Sequence, residues 1–158
     1  MNKDGDGGRV VSRMPDADPG AVRPALAHDA DTLFALAHDM AVSFVPTLEA
    51  FRAAFSELGS RDDALVLVAD SAEDCLDGYL LGFVHPTFYA DAPVGWVEEL
   101  AVRSAVRRHG VGRRLMESFE AWTKSRGARF VALATRRAGA FYSALGYEES
   151  AAYFRKTL

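Results

Sequence analysis

The residues best suited to chemistry lie in one run: Leu100-Ala101-Val102, then Arg103-Ser104-Ala105-Val106, then Arg107-Arg108-His109-Gly110-Val111-Gly112-Arg113-Arg114. An apolar strand leads into a turn with two glycines, and an amphipathic pattern follows it. A helix that begins there presents unpaired backbone N–H groups and the positive end of its dipole. Such an end seats a phosphate or pyrophosphate. Gly110 and Gly112 let the backbone approach an anion closely, with the Val111 N–H between them, and Arg107, Arg108 and Arg113 add charge around His109. The dinucleotide fingerprint Gly-x-Gly-x-x-Gly and a Walker-type Gly-Lys-Ser/Thr are both missing. The run by itself therefore specifies an anion and leaves open whether it belongs to a nucleotide or to another phosphate carrier.

Composition narrows the class. The 158 residues are 49% hydrophobic and 25% charged, which fits one globular domain. A net charge of −4 is no footprint for nucleic acid, and the arginines of 103–114 stand out against it. The lone Cys75, in an acidic turn, forms no internal disulfide and no cysteine-rich metal site, and His28, His38 and His109 show no metal spacing. No apolar run approaches the ~18–20 residues that span a bilayer, and the N-terminus lacks the apolar core of a signal peptide. The expectation is a soluble cytoplasmic protein with no membrane partner.

Residues 1–20 are rich in Gly, Asp and Pro and read as a flexible tail. Residues 22–26 read as a first strand. Helices are expected over 31–42 and 48–58, separated by Pro46, with Thr47 capping the second and Gly59 ending it. The continuous apolar run 64–69 reads as a buried strand, and 78–85 as its hairpin partner. After a loop at 86–93 come a strand at 96–102 and a helix at 110–126 with Val111, Leu115, Met116, Phe119 and Trp122 on one face, closed by Gly127. A strand at 130–134, a short helix at 138–145 closed by Gly146, and a strand-like end at 147–158 with Tyr153 and Phe154 as buried anchors complete the chain. The order β α α β β β α β α β implies a mixed sheet with helices on both faces and a right-handed parallel crossover over 96–134.

Leu100-Ala101-Val102 followed by Arg107-x-x-Gly110-x-Gly112 at a helix start resembles the acetyl-CoA motif of the GNAT superfamily of acetyltransferases. About thirty residues on, Ala138-x-x-Phe141-Tyr142-x-x-Leu145-Gly146-Tyr147 resembles the superfamily's second signature. The resemblance implies an α/β fold with a mixed central sheet of six or seven strands and about four helices on both faces, splayed between 96–102 and 129–134. It also implies a single acyltransferase domain over 21–158. The activity implied is an acetyl-CoA-dependent N-acyltransferase, acetyl-CoA being a co-substrate, with a small-molecule or peptide amine as acceptor and no metal. Pairing as a homodimer is left open. The alternative is a non-catalytic module that senses acetyl-CoA or coenzyme A.

The same resemblance assigns roles. Arg107 to Arg113 hold the pyrophosphate, and the N–H groups of Leu100 and Val102 hold the thioester and pantetheine. Thr135, followed by Arg136-Arg137, stands where many members carry an Asn that contacts the cofactor, so that contact falls to Thr135 or the arginines. Tyr142 is the candidate general acid, because a phenol with an ordinary pKa near ~10 stays protonated at neutral pH. Glu98 and Glu99 are the candidates to take the proton of an ammonium or to bind it; Glu98 is favoured because it shares strand parity with Trp96 and Leu100. His85 is a further candidate base beside the acceptor. Phe44, Phe88, Tyr89 and Trp96 are the large apolar candidates for an acceptor pocket.

Overall fold

The computed structural model describes residues 20–40, 44–73 and 75–158. In chain order the elements are β1 (Val22–Pro24), α1 (Ala30–Met40), α2 (Leu48–Gly59), β2 (Ala64–Asp70), β3 (Leu76–His85), β4 (Val94–Val102), α3 (Val111–Ser125), β5 (Val131–Leu133) and α4 (Gly139–Ser143). The sheet order is β1-β2-β3-β4-β5, antiparallel except for the parallel pair β4–β5. Among the described residues no helix is long and apolar enough to cross a membrane. The expected tail 1–20 lies outside the described residues except for Gly20, as do positions 41 and 42 of the helix expected over 31–42.

Period-2 alternation in the central strands sends side chains to two cores. Leu67, Ala69, Leu80 and Val97 meet Val111, Leu115, Met116 and Phe119 of α3 on one face. Val68, Leu76, Tyr79 and Ala101 meet Leu33 of α1 on the other, with Phe51 and Phe55 of α2 packed alongside. Gly82 permits the first contact: a Cβ there would overlap the Phe119 ring and come within 2.9 Å of the Trp96 carbonyl. The helix can sit this close to β3 only above a residue without a side chain.

Three expectations are corrected. The sheet has five strands, not six or seven, because residues 144–158 form no helix or strand. Tyr153 and Phe154, expected as buried anchors, are 62% and 90% exposed. β5, paired to β4 through three residues, is the edge of the sheet. Gly59 is also not the residue that closes α2: the helix runs through it, and the Ser60 N–H donates to Glu57 O at 3.0 Å. The other stops hold, with Gly127 and Gly146 at φ +78° and +90°, where glycine is the residue of least strain.

One ion cluster ties the sheet edge to the start of α1. The Arg23 guanidinium donates to Asp70 through Nε (2.9 Å) and Nη2 (2.9 Å), and to Asp29 through Nη1 (2.7 Å) and Nη2 (2.9 Å). Burial opposes ionisation of Asp29, but Arg23 and the Leu26 N–H outweigh it and hold the carboxyl below its usual range. Arg23→Ala would strand two carboxylates whose side chains are 5% and 11% exposed. The expected cost is about 3–5 kcal/mol, read as a melting temperature lower by about 10 °C. Because the folded pKa of Asp29 is depressed, its contribution is complete above about pH 4 and lost as pH falls through the folded value. The deficit of the variant against wild type, measured by thermal melts across pH, should be constant near neutrality and shrink only in acid.

Candidate active site

β4 and β5 run together for three pairs only, Gly95 with Val131, Trp96 with Ala132 and Val97 with Leu133. β5 then ends while β4 continues to Val102. At the same point β4 carries a bulge: Val97 opposes Gly82 and Glu99 opposes Leu81, leaving Glu98 as the extra residue. A bulge shifts the two-residue period. Val97, Leu100 and Val102 therefore all pack towards α3, while Ala101 packs on the α1 side. The expected shared parity of Leu100 with Trp96 is thereby overturned.

The Arg103 N–H donates to Asp77 O on β3 at 2.8 Å. By the alternation of an antiparallel pair, the N–H groups of Ala101 and Glu99 also point to β3, and those of Leu100 and Val102 point to the side that β5 has vacated. The Val102 carbonyl on that side accepts from Arg107 Nε at 3.1 Å.

The loop into α3 is strained and open. Arg108 and Gly110 both have positive φ, +68° and +81°; for a non-glycine residue this costs on the order of 1–3 kcal/mol and is found where function over-determines it. Gly110 caps α3 with no side-chain bond. Among the described residues the N–H groups of Val111, Gly112 and Arg113 have no acceptor, and the first paired N–H is that of Arg114, donating to Gly110 O at 3.0 Å. Three donors at a dipole end are thus presented together. A Cβ at Gly112 would stand 3.1 Å from the Phe141 ring and 3.6 Å from Val102 Cγ2, so this glycine lets the helix start seat against α4 and β4. Arg113 reaches Ala144 O (3.5 Å) and Glu117 (3.9 Å). Arg108 and His109 are exposed. Arg114 pins the loop from behind, donating to Gly20 O (3.1 Å) and His109 O (3.3 Å).

α4 brings Tyr142 to the α3 side of the sheet, packed with Phe141 against that core. Thr135 Oγ1 accepts the Ala138 N–H at 3.1 Å and shapes the turn into α4. Burial pushes the Tyr142 phenol above its ordinary range. Among the described residues its hydroxyl has no hydrogen-bond partner, whereas the Tyr147 hydroxyl donates to Glu120 Oε1 at 2.8 Å.

On the opposite face the two carboxylates of β4 are held by aromatic donors. Trp96 Nε1 donates to Glu98 Oε2 at 2.9 Å, on the surface. The hydroxyl of the buried Tyr79 donates to Glu99 Oε2 at 2.7 Å. Burial and the neighbouring Glu99 charge push the Tyr79 phenol far above its ordinary range, so it remains a donor. Beside them lies a cavity of about 570 Å³ lined by His85, Tyr89 and Trp96, with Arg61, Asp63 and Phe83 among the other walls. The three sequence-derived acceptor candidates are thus brought together. Phe44 and Phe88 are not part of the cavity; they are 71% and 108% exposed. Sequence reasoning missed Arg114, Tyr79, Glu120 and Tyr147 as site neighbours. Only the Tyr147 position within the second motif carried a signal, since the other three depend on partners in distant elements.

Residues 31–147 match the model of the Acetyltransferase (GNAT) family. The aminoglycoside N(6')-acetyltransferase type 1 of Stenotrophomonas maltophilia is 34% identical over 95 residues, which is 52% of this chain and 62% of that protein. The N-alpha-acetyltransferase 80 of Mus musculus is 44% identical over 52 residues, 33% of this chain and 17% of that protein. Each match spans less than two thirds of the curated relative. The crystal structure of glucosamine-6-phosphate N-acetyltransferase from Arabidopsis thaliana superposes with a TM-score of 0.78 at 21% identity, covering 89% of this chain and 99% of that one, a likeness of fold. That family match extends from α1 through the glycine-opened helix to Tyr147, and the chain belongs to the acetyltransferase (GNAT) family.

Proposed function

We propose that the chain is an acetyl-CoA-dependent N-acetyltransferase that acts on a primary amine by direct attack in a ternary complex. One observation carries the reading: β4 parts from β5 beside the open start of α3, so that two outward strand N–H groups and three free helix N–H groups border one gap. The residues present fit acetyl-CoA. Val111, Gly112 and Arg113 would hold its pyrophosphate through their N–H groups, and the missing Cβ of Gly112 keeps that cradle in contact with Phe141. Leu100 and Val102 would take the pantetheine arm as an added strand.

Acetyl-CoA supplies an acyl group activated as a thioester. The Leu100 N–H, facing the gap, would stabilise negative charge growing on the acyl oxygen. Glu99, oriented by Tyr79, and Glu98, at the bulge, lie on the side from which an amine would arrive; one of them would take the ammonium proton, directly or through water. The amine nitrogen then forms the new C–N bond; as the C–S bond breaks, Tyr142 gives its proton to the departing sulfur and is restored by the second proton that the nitrogen sheds on becoming an amide. The cavity of His85, Tyr89 and Trp96 would receive the body of the acceptor. The net charge of −4 favours a cationic acceptor, and the names of the relatives suggest an aminoglycoside and an α-amino group as the first to try.

Calorimetry with acetyl-CoA should show binding, and Gly112→Val should weaken it by tenfold or more, since the new side chain meets Phe141 and Val102; unchanged affinity would remove the pyrophosphate assignment. Turnover over a panel of an aminoglycoside, a polyamine and a peptide N-terminus separates the enzyme from a sensor, which would bind acetyl-CoA without transferring from it. On a responsive amine, Tyr142→Phe should lower kcat by about a hundredfold with little change in the KM for acetyl-CoA; full turnover would dismiss Tyr142 as the acid. Because burial raises the Tyr142 pKa, kcat should show no alkaline loss below about pH 10.

A further inference from the structure

A five-residue helix holds Tyr142, and one so short has little stability of its own. Two rings brace the side chain: Phe141 meets it edge-on at a centroid distance of 4.9 Å, and Tyr147 at 5.8 Å. Tyr147 also returns to it through the backbone, its N–H donating to Tyr142 O at 3.0 Å. What fixes Tyr147 belongs to another element, for its hydroxyl donates to Glu120 on α3 at 2.8 Å. Contacts therefore run from α3 through Glu120 and Tyr147 to Tyr142. Glu120 lies nine residues beyond Val111, about 14 Å along the same helix whose start is the open anion seat.

The two neighbouring phenols are not equivalent. Burial holds both in the protonated form, with the Glu120 hydrogen bond and charge adding to this at Tyr147. Tyr147 spends its proton on Glu120, while the Tyr142 hydroxyl is left without a partner among the described residues. One ring is committed to structure, and the other keeps a proton to give.

We propose that Glu120 and Tyr147 are positioning residues for Tyr142: their hydrogen bond sets the ring against which Tyr142 packs and ties its place to the helix that carries the anion seat. The proposal rests on the acid role of Tyr142. A displacement of about 1 Å in such a group can cost up to a hundredfold in rate.

The test uses the full chain with acetyl-CoA and whichever amine of the panel reacts, or slow acetyl-CoA hydrolysis where none does, with rates normalised to acetyl-CoA binding stoichiometry so that unfolded protein is not counted. Tyr147→Phe and Glu120→Ala should each lower kcat by about tenfold or more with the KM for acetyl-CoA within twofold of wild type. Glu120→Gln, which still offers an acceptor oxygen to Tyr147, should restore most of the rate. In a Tyr142→Phe background, Glu120→Ala should cost nothing further, as expected of residues acting as a unit. If Tyr142→Phe is impaired while Tyr147→Phe and Glu120→Ala turn over normally, or if their losses add to that of Tyr142→Phe, the positioning proposal is overturned and the acid role stands. If Tyr142→Phe keeps full turnover, the acid role fails, and the proposal with it.

Discussion

The constraint on which the site depends is the accounting of β4's backbone hydrogen bonds. Every strand residue carries a donor and an acceptor that need partners. β3 satisfies alternate groups of β4 along its length, but β5 satisfies the others only as far as Val97. Beyond that point half the groups face a gap. The bulge at Glu98 sits where pairing stops, and it also decides which side chains face which core. The Val102 carbonyl is taken up by Arg107, a residue of the same loop. The N–H groups of Leu100 and Val102 remain, facing the gap.

α3 makes the gap usable. Its apolar face is locked to the sheet by Val111, Leu115, Met116 and Phe119, the last pressed against Gly82. That packing sets the helix against the sheet, so the position of its open N-terminus follows from the core. The strained φ of Arg108, the left-handed turn at Gly110 and the braces from Arg114 belong to the same arrangement: the turn is bent so that three N–H groups point out instead of finding carbonyls. The core and the seat are thus one construction, and Glu120 extends it to the second aromatic motif.

The other face has a different character. Its carboxylates are oriented by neutral aromatic donors, Tyr79 and Trp96, rather than by arginines. Trp96, which holds Glu98, is also a wall of the cavity of His85 and Tyr89. The nearby Arg61 is paired with Asp63 at 2.8 Å and lies over Phe83, which keeps its charge from dominating that cavity.

The sequence by itself determined the elements and the family. The two-residue and 3.6-residue periods of β2, β3, β4 and α3 are local and strong. The spacing of Arg107, Gly110 and Gly112, with Phe141-Tyr142 some thirty residues on, depends on types that few other arrangements need. The gathering of His85, Tyr89 and Trp96 was legible because all three flank one loop and one strand end. Tertiary structure decided what no local pattern encodes. The bulge at Glu98 turned Leu100 to the α3 face, because register is settled by pairing with β3 and not by alternation alone. The end of the chain kept Tyr153 and Phe154 exposed, because its aromatic residues bury only if the segment joins the sheet, and it does not. Tyr79 on Glu99 and Glu120 on Tyr147 join residues twenty or more positions apart, so only the packed sheet and helix could bring each donor within reach of its carboxylate.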